Sequence, residues 1–360
     1  MKIVLFCENK YAIDILRPIY DEAVREGGNE QLWYVHAKRI PDFPLKDEVK
    51  YTNSIQEIYD FQPEAIFVPG NIVPYYLSGV KIQVFHGYAT EKKDHWVIRR
   101  YFDTYFTQGP LFTEGFERLS KKYGDFEVLE TGWPRQDWIF HHLHAFDDER
   151  RRLLSSLPLR DAAHDDRRIV LYAPTFSPSL TSLPYMKEAL VRLVEERNAL
   201  VLLKFHPLTA QNYIDEYRQL AATHEHIVWI DDYTVTKYML MADMMVSDTS
   251  STIYEMLLLD KPVITLRAVS KEFFWRNMQT PEELTTAYDE AIADTWHEKR
   301  QWVIQHYDPY LDGEVAHRML DGARDYLRRH GVPERRRVNL WRKYTSIKTF
   351  GYPSRRSSGV

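Results

Sequence analysis

Between Arg168 and Leu266 the chain repeats one pattern five times. A short run rich in Val, Ile and Leu stops at a polar residue, and a longer amphipathic stretch separates it from the next run. The runs read RIVLYAP, ALVLLKFHP, HIVWID, MMVSD and PVITL. Helical spacing fills the gaps near Tyr185–Arg197, Tyr213–Thr223, Thr234–Ala242 and Ser251–Leu259. Runs with so little polar alternation suit strands buried on both faces, and strands alternating with helices imply βαβ units in a parallel sheet. The first half follows the same rule. A strand at Lys2–Cys7 feeds a helix around Tyr11–Arg25 that ends at Gly27-Gly28, and QLWYVH, AIFVP, KIQVF, TYFT and EVLETG follow as further strands. The expected fold class is therefore α/β, with two doubly wound Rossmann-like domains in tandem.

A length of 360 residues allows two domains. The charge-dense stretches DDERRR and RDAAHDDRR place the boundary between them. We assign 1–150 to an N-terminal domain and 165–330 to a C-terminal one closed by helices near 281–305 and 314–329. Residues 331–360 form a tail with eight Arg or Lys against one acid, Glu334. The net charge of −5 gives no general attraction to nucleic acid. The single cysteine, Cys7, excludes an intrachain disulfide and fits a reducing compartment. Only five apolar residues, Ile3 to Cys7, precede Glu8, too few for a signal-peptide core. No window reaches the ~18 apolar residues of a membrane span. The expected location is the cytoplasm.

Open parallel sheets bind ligands beyond the carboxyl ends of their strands. Four polar signatures stand at such ends. VFHG places His86, LYAPT places Thr175, LLKFHP places His206, and MMVSDTSS places Asp248, Ser250 and Ser251. Four together suggest a cleft assembled from both domains. A helix starting at Ser251 would present free N–H groups and the positive end of its dipole, worth roughly 0.3–1 kcal/mol to an anion. Ser250 and Ser251 add hydroxyls, and Glu255, one turn on, can accept from two vicinal ribose hydroxyls. Phosphate at the tip and ribose at the glutamate describe a nucleotide diphosphate. The same serines also serve as ordinary N-caps, and Glu255 as a solvated helix residue.

His206 reads as a donor to phosphate oxygens or as a histidine bonded at a strand end. His86, followed by Gly87, can act as general base for an attacking hydroxyl. Arg135 in TGWPRQDW can pair with phosphate as a bidentate donor or simply begin a helix. His141, His142 and His144 lack companion carboxylates or cysteines at ligand spacing and read as a surface helix, so no metal and no cofactor are expected. No Asp-x-Asp occurs, which weakens a metal-held sugar nucleotide on a single-domain glycosyltransferase fold.

The ordered set HG…K, GxPR, LYAPT, KxHP, SDTSS-x-x-x-E, a buried run and KPVI resembles the CDP-glycerol glycerophosphotransferases that build teichoic acids. The resemblance runs from about His86 to Asp312-Gly313. It implies a two-domain fold of glycosyltransferase B type, an acceptor-side first domain and a nucleotide-donor second domain. It also implies attack of an acceptor hydroxyl on the β-phosphorus of CDP-glycerol or a close CDP-alditol, with release of CMP. Carried over, His86 is the base; His206, Ser250 and Ser251 hold the diphosphate, with Thr175, Asp248 and Arg135 beside them; Glu255 reads the ribose. Phe85 and Thr249 stand where the family usually has Trp and Tyr. The acceptor would be a lipid-linked or polymeric precursor, and the basic, aromatic-containing tail 331–360 would be either a disordered extension or an attachment to an anionic membrane surface. The rival readings are a sugar-nucleotide glycosyltransferase or UDP-N-acetylglucosamine 2-epimerase of the same fold, and a non-catalytic scaffold.

Overall fold

A computed structural model describes residues 1–88, 93–157, 167–232, 234–334 and 336–354, with the side chains of Lys93 and Asp94 excepted. Lys92 in the stretch after His86, most of RDAAHDDRR and the last six residues of the tail lie outside the described residues. The chain forms two compact units, 1–141 with 307–360, and 142–306.

The first unit contains β1 (Lys2–Cys7), α1 (Ala12–Glu26), β2 (Glu30–Val35), β3 (Tyr51–Thr52), α2 (Ile55–Phe61), β4 (Ala65–Val68), β5 (Val80–Gln83), β6 (Thr104–Thr107), α3 (Pro110–Tyr123), β7 (Glu127–Glu130) and α4 (Arg135–His142). Its sheet has the order β3-β2-β1-β4-β5-β6-β7, every adjacent pair parallel. The strand order reverses between β1 and β4. Strands β4, β5 and β6 are buried at every position; β4 is apolar throughout, while in β5 the buried Lys81 and Gln83 side chains donate to Leu77 O and Pro69 O.

The second unit contains α5 (Asp147–Ser155), β8 (Arg168–Tyr172), α6 (Lys187–Glu196), β9 (Ala199–Leu203), α7 (Gln211–Thr223), β10 (Ile227–Trp229), α8 (Thr236–Met241), β11 (Met244–Ser247), α9 (Thr252–Leu258), β12 (Val263–Leu266), β13 (Arg276–Met278), α10 (Leu284–Ile292) and α11 (His297–Tyr307). Its parallel sheet runs β10-β9-β8-β11-β12-β13, reversing between β8 and β11. Leu190, Leu193, Val201, Tyr217, Val246 and Ile264 belong to its core.

The boundaries drawn from sequence move. The first segment of the first unit ends at His141 and not at 150, because α5 goes with the second unit, its Arg150 pairing with Asp243 at 2.8 Å. The helix α12 (Val315–His330) belongs to the first unit, so the second ends at His306 and not at 330. The cause is packing. Val315, Ala316, Met319, Leu320 and Ala323 form its buried stripe, and Gly322 lies so close to the sheet that a Cβ there would stand 2.3 Å from Leu129 Cδ2. Asp137 in α4 accepts from the amides of Val315 (2.9 Å) and Ala316 (2.7 Å), satisfying two of the donors that open α12.

The tail is also part of this unit through Ser354. The helix α13 (Leu340–Phe350) is capped by Asn339, which accepts from Arg342 N at 2.9 Å. Phe350 stands edge-on to Phe6, with ring centroids 5.4 Å apart, and Arg336 pairs with Asp103 at 2.7 Å with both side chains only 8% exposed. The disordered-extension reading therefore fails for this stretch. The Arg336–Asp103 pair, the Phe350 ring and hydrogen bonds such as Tyr101 OH to Arg342 O (2.8 Å) and Arg342 Nη1 to Ile98 O (2.9 Å) hold it, and none of these leaves a periodic signature in sequence.

Candidate active site

In the second unit the strand-order reversal brings the ends of β8 and β11 side by side, and two of the residues singled out, Thr175 and Asp248, are bonded to each other there. Asp248 follows β11 and is fully buried. Its Oδ1 accepts from Thr175 N at 2.9 Å, and its Oδ2 accepts from the amide and hydroxyl of Ser182 at 2.8 and 2.9 Å. Burial pushes its carboxyl up, and these donors pull it back. Asp248 thus holds the 175–182 loop in place, and donor contact through its carboxylate, expected from sequence, is replaced by a positioning role. Thr175 lends its amide to that brace.

The loop it fixes carries Phe176, whose ring stacks on His206 with centroids 4.4 Å apart and an interplanar angle of 29°. His206 leaves β9 two residues before Leu208, whose N–H donates to Nδ1 at 3.1 Å. An amide can only donate, so Nδ1 holds the lone pair and, in the neutral ring, the proton sits on Nε2. Burial and then Lys204 lower the His206 pKa, which favours this neutral form. Lys204 itself is buried, and its Nζ donates to Phe205 O at 3.0 Å instead of reaching outward.

The serines divide their labour. Ser250 Oγ accepts from Thr252 N (3.4 Å) and shares a 2.8 Å contact with Thr252 Oγ1, so it serves as a cap for α9. Ser251 is exposed and its side chain makes no cap hydrogen bond. Thr249 Oγ1 accepts from Val269 N at 3.0 Å, tying the start of this turn to the segment after β12. Glu255 is buried in the first turn of α9, which removes the solvated-helix reading.

In the first unit His86 lies just beyond β5. Its Nδ1 is 3.0 Å from Pro69 O, and a carbonyl can only accept, so Nδ1 carries the proton and Nε2 the lone pair in the neutral ring. The arrangement is the reverse of that at His206. The backbone around it is unusual: Phe85 has φ +60° and Gly87 φ +140°. A left-handed Phe is strained and persists only where its surroundings hold it. Here Trp133 Nε1 points at Phe85 O (3.5 Å), Gln108 Nε2 donates to Gly87 O (2.9 Å), and the Phe85 ring stacks on His95 with centroids 5.2 Å apart. Tyr11, at the start of α1, places its ring 5.3 Å from that of His86.

Arg135 opens α4 with its guanidinium 5.8 Å from the centre of the Trp133 ring. The GxPR segment around it has a structural task that sequence did not disclose. Asp308 is buried beneath it, accepting from Tyr88 OH (2.7 Å), Trp133 N (3.1 Å) and Tyr310 N (3.2 Å), and burial raises its pKa to about 7. Gly132, at φ +88°, is required because a Cβ would lie 2.8 Å from both Tyr310 and Val315 atoms. His141 and His142 end α4, and His144 lies beyond it, 3.2 Å from Asp147. Among the described residues these histidines form no set of metal ligands; the one such grouping is Glu22, Glu26 and His317, between α1 and α12.

Comparison with known proteins agrees with this layout. The profile of the family described as CDP-glycerol:poly(glycerophosphate) glycerophosphotransferase matches residues 78–322. Among curated relatives, the teichoic acid ribitol-phosphate polymerase TarL of Staphylococcus aureus (strain NCTC 8325 / PS 47) is 30% identical over 167 residues, 44% of this chain and 27% of that protein. The teichoic acid glycerol-phosphate primase of Bacillus subtilis (strain 168) is 26% identical over 164 residues, 41% of each. The matched segments thus span well under two thirds of these relatives. Among solved structures, the wall teichoic acid polymerase TagF superposes with TM-score 0.66 at 18% identity, covering 91% of this chain and 89% of that one. The MnaA–UDP structure from S. aureus gives 0.65 at 15% identity, covering 91% and 97%. These likenesses fix the fold, two Rossmann-like units of glycosyltransferase B type. The profile spans more than half of the 360 residues and contains His86, Arg135, Thr175, His206, Asp248, Ser250, Ser251 and Glu255, and on that ground the chain belongs to the CDP-glycerol:poly(glycerophosphate) glycerophosphotransferase family.

Proposed function

We propose that this chain transfers an alditol phosphate, glycerol phosphate or a close relative, from a CDP-linked donor to a hydroxyl of a glycopolymer precursor and releases CMP. The observation that carries the reading is the opposite setting of the two histidines within this family's matched segment. His86, with its proton pinned on Nδ1 by Pro69 O, offers Nε2 as a base. His206, with Nδ1 occupied by Leu208 N, offers Nε2–H as a donor. The acceptor O–H gives its proton to His86 Nε2 while its oxygen bonds to the β-phosphorus. The bond from that phosphorus to the bridging oxygen breaks, and CMP leaves with the electron pair. His206 donates to a diphosphate oxygen where negative charge grows, Ser251 adds a hydroxyl, and Glu255 accepts from the ribose. Arg135 is a further anion contact. The chemistry asks for no cofactor, the CDP-alditol being a substrate.

Titration calorimetry with CDP-glycerol, CDP-ribitol, UDP-N-acetylglucosamine and CMP tests the donor. Selective binding of a CDP-alditol is expected, weakened ~10–150-fold in His206→Ala, the worth of one hydrogen bond to a charged oxygen. Preference for the UDP-sugar would sink the proposal.

The acceptor is proposed to be membrane-linked, and the protein to work at the inner face of the cell membrane. No helix among the described residues is long and apolar enough to cross a membrane. The support for surface attachment is α13, where Leu340, Trp341 and Tyr344 are 83%, 74% and 56% exposed beside exposed Lys348. Each basic residue contributes ~1 kcal/mol at an anionic surface. Co-sedimentation with anionic vesicles is expected to fall in a Trp341→Ser/Tyr344→Ser/Lys348→Glu variant; unchanged binding would remove the idea.

A further inference from the structure

A buried glutamine in a strand with parallel neighbours on both sides needs a reason to be there. Gln83 closes β5, stands opposite Val68 of β4 and is 2% exposed. An aliphatic side chain would fill the position with no polar atoms to satisfy. Instead its Nε2 donates to Pro69 O at 3.2 Å, the same oxygen that faces His86 Nδ1 at 3.0 Å. The other end of the amide, Oε1, is buried with no hydrogen-bond partner among the described residues. A buried polar atom left in that state is uncommon in native proteins and calls for an explanation.

The local backbone shows why Pro69 O is open to side chains. Val84 N still bonds to Val68 O at 3.1 Å, but Phe85, at φ +60°, leaves the strand conformation and β5 stops there. Pro69 O, beyond the end of that ladder, accepts two side-chain donors. A carbonyl oxygen has two lone pairs, and here each meets one N–H. Gln108 acts on the other side of the histidine. It is fully buried, its Nε2 donates to Gly87 O at 2.9 Å, and its Oε1 also lacks a partner among the described residues. His86 thus sits between two carbonyls braced by buried amides, one facing its ring and one on the next residue.

We infer that Gln83 is a positioning residue for His86 and acts through Pro69 O. Pinned by Gln83, the carbonyl stays directed at Nδ1 and keeps the proton on that nitrogen, which leaves the lone pair on Nε2 for the acceptor hydroxyl. Once Nε2 has taken the acceptor's proton, the Nδ1–H bond to Pro69 O becomes charge-assisted and stabilises the imidazolium. Without Gln83 the carbonyl loses one of its two donors, and the ring gains the tautomer protonated at Nε2. That form has no lone pair where the acceptor needs one. Gln83 itself touches neither substrate nor reacting atom. The inference rests on the reading of His86 as base and adds what sets its tautomer.

The test uses the full chain isotope-labelled at the histidine ring nitrogens, whose chemical shifts report the tautomer. The His86 signals are identified by their loss in His86→Gln. Wild type is expected to show the Nδ1–H form, and Gln83→Met, close in volume and without a donor, a mixture of the two tautomers. Turnover of CDP-glycerol by Gln83→Met, with a phosphate-terminated polyol as acceptor, should fall about 2–12-fold, the worth of one neutral hydrogen bond. Its affinity for CDP-glycerol should stay at the wild-type value. Should Gln83→Met not fold, Gln83→Asn, whose amide is a methylene too short to reach Pro69 O, takes its place. The same tautomer in variant and wild type overturns the inference. So does a loss of turnover matched by a loss of donor affinity, which would show a packing defect. Wild-type turnover in His86→Ala would instead count against His86 as the base, and the tautomer measurement would still decide what Gln83 does.

Discussion

Replacing Arg336 by Met should destabilise the first unit by several kcal/mol, although the residue lies in a segment whose composition reads as a solvated basic tail. Its guanidinium donates to Asp103 from Nε (2.9 Å to Oδ1 and 3.0 Å to Oδ2) and Nη2 (2.7 Å to Oδ2), and to Gly79 O at 2.6 Å. Asp103 has one further donor, the Lys81 amide at 2.8 Å. Lys81 Nζ cannot take over, because it is fully buried and bonded to Leu77 O at 2.6 Å, and burial drives its pKa well down. Removing one partner from a buried pair leaves an uncompensated charge, which costs ~3–5 kcal/mol. At ~2–4 °C per kcal/mol for a unit of this size, the thermal midpoint falls by roughly 6–20 °C. Calorimetry of Arg336→Met, Asp103→Asn and the double variant measures it. The double variant should recover much of the loss, since both charges are then gone. A single variant melting within about 1 °C of wild type would refute the argument. The same anchoring means that deleting 331–360 would damage the first unit, so membrane attachment has to be tested with surface substitutions on α13.

Three further outcomes are expected. Asp308, raised to about 7 by burial, binds its proton more tightly in the folded chain than in the unfolded one, where the pKa is ~3.9. Its contribution therefore favours the native state below the unfolded value and is lost as pH rises to about 7, up to about 4 kcal/mol in all. Thermal midpoints at pH 5 and pH 8 should differ less in Asp308→Asn than in wild type; an equal difference would place the titration elsewhere. Asp248→Ala frees three donors of the 175–182 loop and should weaken CDP-alditol binding and raise protease sensitivity in that loop, whereas loss of binding with unchanged proteolysis would mean direct ligand contact. Gly322→Ala drives a methyl into Leu129 and Phe106 and should destabilise by ~1–3 kcal/mol in denaturant titration.

Much of this was legible in the sequence. Short apolar runs such as LVLL and MMV, bounded by polar residues and alternating with helical stretches, suit strands buried on both faces of a parallel sheet, and the polar residues that follow such runs, His86, His206 and Asp248 to Ser251, fall where such sheets bind ligands. The family's ordered motifs then named the chemistry. Other features depend on three-dimensional pairing. The stripe on α12 says that the helix packs but not on which sheet, so its return to the first unit was hidden. Asp248 has the same chemistry as a ligand contact, and only its burial with three protein donors shows it to be a brace. The protonation settings of the two histidines come from Pro69 O and Leu208 N, backbone atoms with no sequence signal.

CMP release from CDP-glycerol and CDP-ribitol by the full chain, with a phosphate-terminated polyol as acceptor and His86→Ala in parallel, tests the central claim most directly. The account predicts acceptor-dependent CMP release by the wild type. In His86→Ala it predicts turnover reduced ~10²–10⁴-fold with donor binding kept, the usual worth of a general base. Acceptor-dependent release at the wild-type rate in His86→Ala would contradict the assignment of the base, and release from a UDP-sugar in place of either CDP-alditol would contradict the proposed reaction.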